Sequence, residues 1–286
     1  MNNKRRSFLR FPNFLYKAVT LSYDDGVKYD KNLLEIITKY GLKCTFNINS
    51  NTYGKTEDSL RMPKETALKL YNSYDCEVAT HGWYHLSLAE VDSAMAVKDI
   101  ICDRLGLEKD FNRIIRGYAY ANGSIDDGAV ENLKKCGIAY ARTTKSSLSF
   151  NLPTDWLRLQ PTAHHKSPDL MNLVDEFLKD YDKDRFSWNH SPKLFYLWGH
   201  SYEFNDDNNW DILEDFAKKI GLKEDVWYAT NIEIYDYVKA YDSLIFSAEG
   251  DKIYNPTFTD VYICYFNKNY LIPKGATVSV EPLWKR

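Results

Sequence analysis

Apolar positions along this chain fall into two alternating textures. Short runs rich in β-branched and aromatic residues at 18–22, 44–48, 77–80, 114–118, 139–142, 194–198 and 226–229 read as buried strands. Between them, apolar residues recur at helical spacing. Leu33, Leu34, Ile36, Ile37 and Tyr40 run up to a stop at Gly41, and a second helix after Pro63 carries Ala67, Leu68 and Tyr71. Further helices are predicted over 88–105, from Asp126 through Leu133 to Gly137, and near 170–178, 212–220 and 232–238. Strand–helix alternation repeated six or seven times implies an α/β fold with a parallel sheet, open or closed into a barrel. Beyond Tyr241 the pattern changes to short β-like runs with turns at Glu249-Gly250-Asp251 and Lys274-Gly275. The chain therefore divides into a large domain at 1–241 and a small β-rich appendage at 242–286.

Composition narrows the class. A chain of 286 residues, 44% apolar and 27% charged, suits one large globular domain with an appendage. No run approaches the roughly 20 apolar residues that cross a bilayer, so no membrane partner is expected. Thirty-seven basic against forty acidic residues is too balanced for an electrostatic nucleic-acid binder. Five cysteines, an odd number without a CxxC pair, argue against a disulfide framework and a cysteine zinc ribbon, and they read as small core residues. The segment Lys4-Arg5-Arg6-Ser7-Phe8-Leu9-Arg10 has a twin-arginine look, but Pro12, Asn13 and Lys17 interrupt the apolar residues after it. It reads as a basic arm leading into the first strand, and the want of an export signal favours the cytoplasm. The aromatic content of 15%, with twenty-two tyrosines and seven tryptophans, fits either a packed core or a wet, ring-lined site.

In parallel α/β folds, chemistry gathers where strands end. The predicted exits here hold Asp24-Asp25, then His81 and His85, then Arg116, and finally His200. Each has a bland reading. Asp-Asp-Gly is commonly a turn, histidines four apart are common on solvated surfaces, and a lone histidine is often structural. Their order and placement carry more than any one of them.

That order closely resembles the polysaccharide deacetylase family (carbohydrate esterase family 4, NodB-homology domains), over roughly residues 17–241. Ser22-Tyr23-Asp24-Asp25-Gly26 resembles the family's Thr-Phe-Asp-Asp-Gly, and His81-Gly82-Trp83-Tyr84-His85 its His-Ser/Thr-x-x-His. Asp155-Trp156 is similar to the Asp-Trp of the fourth motif, and Leu197-Trp198-Gly199-His200 to the final Leu-x-x-His. Two departures stand out. Gly82 replaces a hydroxyl residue that hydrogen-bonds the nearby loop. The third motif, Arg-x-Pro-Tyr-Gly, is stretched here to Arg116-Gly117-Tyr118-Ala119-Tyr120-Ala121-Asn122-Gly123 and lacks the proline.

The resemblance implies a distorted (β/α)7-type barrel and a metal-dependent hydrolase that removes N-acetyl or O-acetyl groups from an oligo- or polysaccharide. It implies Asp25, His81 and His85 as ligands of a divalent metal, with zinc the default and Fe, Co or Mn possible. Such a set leaves open positions, the pattern of a catalytic site. The ion would bring a bound water's pKa toward about 7 and polarise the carbonyl. Asp24 would be the general base, steadied by Arg116, and His200 the general acid, held charged by Asp155. The main-chain N–H near Asn122 would face the oxyanion, and Leu197 would border the acetyl methyl group. Trp156, Tyr202, His164 and His165 are further candidates for substrate contact, the adjacent histidines being equally readable as loop residues or as an extra metal ligand. Two other functions stay open: the same site acting on a non-sugar amide or cyclic ureide, and a non-catalytic carbohydrate-binding relative.

Overall fold

The computed structural model describes residues 8–180 and 191–282. Lys4–Ser7 of the basic arm and the last four residues of the appendage lie outside the described residues. Fourteen strands are present among the described residues: β1 (Leu9–Arg10), β2 (Lys17–Asp24), β3 (Cys44–Ile48), β4 (Glu77–Thr80), β5 (Gly117–Ala119), β6 (Tyr140–Arg142), β7 (Ala163–His164), β8 (Lys193–Gly199), β9 (Val226–Tyr228), β10 (Ile245–Phe246), β11 (Lys252–Tyr254), β12 (Val261–Tyr265), β13 (Lys268–Ile272) and β14 (Thr277–Ser279). The helices are α1 (Asp30–Lys39), α2 (Lys64–Asn72), α3 (Ser93–Phe111), α4 (Asp127–Lys135), α5 (Leu170–Leu178), α6 (Ser201–Asp206), α7 (Trp210–Ile220) and α8 (Asn231–Asp242).

The main sheet is wholly parallel, in the order β6-β5-β4-β3-β2-β8-β7, with β9 beside the first half of β2. It curls into a distorted (β/α)7 barrel. The ring closes through the segment 159–164: Leu159 bonds Ala141 of β6 and Thr143 just beyond it, while Thr162 and β7 bond β8.

Strand parity explains why these runs are apolar almost throughout. Side chains alternate across a sheet, and both faces of this one are covered. Val19, Leu21 and Tyr23 of β2, with Phe195 and Leu197 of β8, pack outward against α1 and α7 through Leu33, Ile37, Leu213 and Phe216. Ala18, Tyr140, Leu194 and Tyr196 instead join a second cluster with Tyr237 and Tyr241 of α8 and with Ile253, Val261 and Ile263 of the tail. The start of α8 enters the barrel's amino end. There the Glu77 carboxylate accepts from Thr45 Oγ1 (2.9 Å), Tyr140 OH (2.7 Å) and Ile232 N (2.9 Å).

The predicted strand at 44–48 and the one at 77–80 coincide with β3 and β4, and most others shift by one or two residues. Two differences have consequences. The strand expected at 114–118 begins only at Gly117, and Trp156, a candidate substrate contact, lies in a 3-10 turn, Trp156–Arg158. The tail forms two three-stranded antiparallel sheets, β10-β11-β14 and β1-β12-β13, so Leu9 and Arg10 of the arm pair with residues more than 250 positions later. No described helix is long and apolar enough to cross a membrane.

Candidate active site

The barrel's carboxyl end brings Asp24, Asp25, His81, His85, Arg142 and His200 into one polar cluster. Asp24 is the last residue of β2 and is buried. Its Oδ1 accepts from Nδ2 of Asn47, its registered partner on β3, at 2.8 Å. Its Oδ2 accepts from Arg142 Nη2 at 2.5 Å and lies 3.9 Å from the Nε2 atoms of both His81 and His200. Burial works against the Asp24 carboxylate; Arg142, then His81 and His200, and the Asn47 hydrogen bond overcome it and set its pKa below the ordinary value.

Asp25 leaves the strand at φ 80°, and its Oδ1 accepts from Arg61 Nη2 at 2.6 Å. His81 follows β4, with Nδ1 2.9 Å from the Ala119 carbonyl oxygen. A carbonyl only accepts, so neutral His81 carries its proton on Nδ1 and presents a lone pair at Nε2. Burial depresses its pKa to about 4, against the pull of Asp24, so the ring stays neutral near pH 7. His85 stands edge-on to it with ring centroids 4.6 Å apart. One ligand atom each from Asp25, His81 and His85 lies within 4.8 Å of the others. One carboxylate and two imidazoles, one with its tautomer fixed for coordination, fit a divalent ion of the zinc, iron, cobalt or manganese kind.

The loop between the histidines explains Gly82. Its φ is 86°, and a Cβ there would lie 2.3 Å from Asp99 Oδ2, so a hydroxyl residue has no room. Asp99 and Asn49 hold the loop instead. Asp99 Oδ1 accepts from Tyr84 N at 2.6 Å, and Asn49 Nδ2 donates to the carbonyls of His81 (2.9 Å) and Gly82 (2.5 Å). Tyr84, between the two candidate ligands, is 62% exposed.

The structure moves two expected partners away. Arg116 does not reach Asp24. It precedes β5 and so sits at the opposite, amino end, where it forks onto Asp236 of α8 at 3.0 and 2.5 Å. The shorter strand causes this, since an element starting at 117 places Arg116 at its entry. Arg142, at the exit of β6 and fully buried, supplies the guanidinium, and its plane lies over the Trp198 ring at 4.2 Å. Asp155 does not reach His200 either. It caps the 3-10 turn by accepting from Leu157 N (3.0 Å) and pairs with Arg158 (2.8 Å). His200 Nδ1 is instead 3.2 Å from Glu203 Oε2. Burial disfavours charge on His200, but that hydrogen bond with Asp24 and Asp25 prevails and raises its pKa.

Three expected substrate contacts also lie elsewhere. Trp156 is buried edge-on against Tyr235 of α8, with ring centroids 5.1 Å apart, because the 3-10 turn points it into the core. Leu197 shares the outward face of Leu21 and is fully buried against the helices, whereas Ser22 and Trp198 share the face of Asp24. His165 likewise faces outward, stacked on Tyr23 and Phe204 at 5.7 and 4.0 Å. Gly199 permits this approach, since a Cβ there would lie 2.0 Å from His165 Nδ1. His164, in register with Trp198, stays on the site side. Tyr202 does too, its ring 5.1 Å from His200. Asn122, at φ 56°, lies just beyond Ala119, whose carbonyl holds His81.

Residues 13–141 match the family model described as polysaccharide deacetylase. Over that stretch the chain is similar to the polysaccharide deacetylase family. Solved structures of similar fold come from the same group. A Mycobacterium smegmatis protein assigned as a polysaccharide deacetylase aligns with TM-score 0.61 at 15% identity, over 82% of this chain and 94% of that one. The Xyl-CE4 domain of a multidomain xylanase from the hindgut metagenome of Trinervitermes trinervoides gives 0.53 at 12% identity, over 78% and 92%. A Bacillus anthracis CE4-family pseudoenzyme, in a mutant with restored enzymatic activity, gives 0.51 at 16% identity, over 80% and 70%. At these identities the likeness is one of fold. No curated protein sequence matches the chain.

Proposed function

We propose that this protein is a metal-dependent deacetylase acting on an N- or O-acetylated oligo- or polysaccharide. The observation that carries the reading is the position of Asp24. A buried carboxylate, anchored by Asn47 and Arg142, has its Oδ2 3.9 Å from the Nε2 atoms of both His81 and His200. A base placed between a ligand set and an acid is what hydrolysis of an acetyl group requires.

Asp25, His81 and His85 are the residues to hold the ion, which when bound would acidify a water and polarise the acetyl carbonyl. Asp24 takes the proton from the attacking water, its charge kept available at neutral pH by Arg142. The Asn122 main-chain N–H is the proposed donor to the oxyanion. His200 gives the leaving nitrogen or oxygen its proton from Nε2. Exposed Tyr84 at the rim offers a flat apolar face of the kind sugars stack upon, which favours carbohydrate over a small enclosed amide.

The deciding assay is acetate release from chito-oligosaccharides and from acetylated xylan, with and without chelator. Release that the chelator abolishes and added metal restores is the expected result. No release from either, at full metal loading, would turn the reading toward a non-sugar amide or a non-catalytic binder. His81→Ala and His85→Ala are each expected to lose most of the bound metal by elemental analysis, and full occupancy in either variant would sink the ligand assignment.

A further inference from the structure

We propose that Glu203, on the first turn of α6, is the positioning residue for His200, the task that the family resemblance gives to Asp155. The inference rests on the deacetylase reading and names a different residue within it. Glu203 Oε2 accepts from His200 twice, at Nδ1 (3.2 Å) and at the main-chain N–H (3.1 Å). The same oxygen is 3.2 Å from His164 Nε2, and Lys166 Nζ lies 3.4 Å from Oε1. One carboxylate thus fastens the acid to the strand that closes the barrel.

His164, His200 and Glu203 also have the composition of a metal site, with ligand atoms within 4.8 Å of one another. The hydrogen bonds argue against that use. Lys166 N–H donates to His164 Nδ1 at 3.1 Å, so neutral His164 carries its proton on Nε2, the atom that faces Glu203. Coordination there would require breaking that arrangement and displacing the Lys166 ammonium. His165 Nε2 also lies 3.3 Å from Oε2, so three histidines and the Lys166 ammonium surround this carboxylate. Burial opposes the Glu203 charge, yet the hydrogen bonds from His164 and His200 hold its carboxyl far below the usual range. Its place in the first turn of a helix works in the same direction.

An anionic acceptor at Nδ1 fixes the His200 proton there, so that Nε2 faces Asp24 and the space between them. In the acid step the bond from the acetyl carbon to the leaving nitrogen or oxygen breaks, and its electron pair stays with the leaving atom. That atom takes the proton from Nε2, and imidazolium becomes neutral imidazole with Nδ1–H still bound to Glu203. Asp155 cannot serve, being committed to Leu157 N and Arg158.

The test compares two leaving groups. p-Nitrophenolate departs without a proton, whereas a sugar amine or alkoxide needs one. Glu203→Gln is expected to lower kcat on an acetylated oligosaccharide at least about tenfold, within the roughly 10²–10⁴-fold that acid–base assistance supplies. It should leave p-nitrophenyl acetate hydrolysis within about twofold. Asp155→Ala should change neither ratio. Equal losses on both substrates, or the same selectivity in Asp155→Ala, would overturn the assignment. A second readout needs no turnover. The imidazole Nδ1–H proton resonance of His200, identified by its loss in His200→Ala, should be present in the wild type and in Asp155→Ala and absent in Glu203→Ala. Its survival in Glu203→Ala would overturn the assignment. A wild type inactive on both substrates would defeat the deacetylase reading alone, and this resonance would then decide Glu203.

Discussion

Asp24→Asn is expected to lower turnover on the acetylated substrate by about 10²–10⁴-fold, the range that a positioned general base contributes. The amide keeps the size and the hydrogen bond to Asn47 but accepts no proton from water. Bound metal should be retained, because Asp25, His81 and His85 are untouched. The substitution has a second effect, which the measurement must separate from the first. Arg142 is fully buried, and Asp24 is the carboxylate it pairs with. Stripping one partner from a buried pair costs about 3–5 kcal/mol. Turnover should therefore be measured well below the variant's lowered melting temperature, with folded fraction and metal content determined on the same sample. Undiminished kcat under those conditions would remove Asp24 from the role of base.

Arg142→Met should destabilise the protein by a comparable amount, about 3–5 kcal/mol, by leaving Asp24 buried without its counter-charge. Its activity should fall as well. Without the guanidinium, burial governs Asp24 and drives its pKa upward, so the base is protonated over more of the working range. The acid limb of the pH–rate profile should then move to higher pH. The double variant Asp24→Asn with Arg142→Met is the informative corner of the cycle. It removes both charges together, so its stability should lie closer to the wild type than the summed single losses, while its activity stays lost. Arg116→Ala provides the contrast. Its fork to Asp236 is partly exposed, and such a pair contributes about 0–1 kcal/mol. An activity loss in Arg116→Ala matching that of Arg142→Met would contradict this arrangement of the two arginines.

The contrast between these arginines marks where one-dimensional reading reached its limit. Arg142 closes a run that reads as a strand, Tyr140-Ala141-Arg142, so its place at a strand exit was legible. Its partner was not, because Asp24 lies 118 positions earlier and three strands intervene between β6 and β2. Arg116 misled for a smaller reason. A strand start displaced by three residues moves a side chain from one end of a barrel to the other, and apolar Ile114 and Ile115 extend the β-like run past its true beginning. Glu203 carried a local signal in the spacing His-x-x-Glu at a helix start. That signal alone predicts a cap and says nothing of His164 on the far side.

Periodicity and strand-exit chemistry along the chain were enough for the parallel α/β class, for the aspartate pair after the first barrel strand, and for the two histidines after β4. Those inferences depend on residues close in sequence, where the spacing of side chains along a strand or turn is set by local geometry. Which carboxylate meets which cation, and which face a strand residue takes, depended on closure of the ring. The resemblance places Leu197 and Trp156 at the site and leaves His165 open between a site and a loop role; strand parity turns Leu197 and His165 outward, and a 3-10 turn points Trp156 into the core. The physical reason is that the pleat alternates every residue, so a neighbour in sequence is by default on the opposite face, and only the packed barrel shows which face is the site.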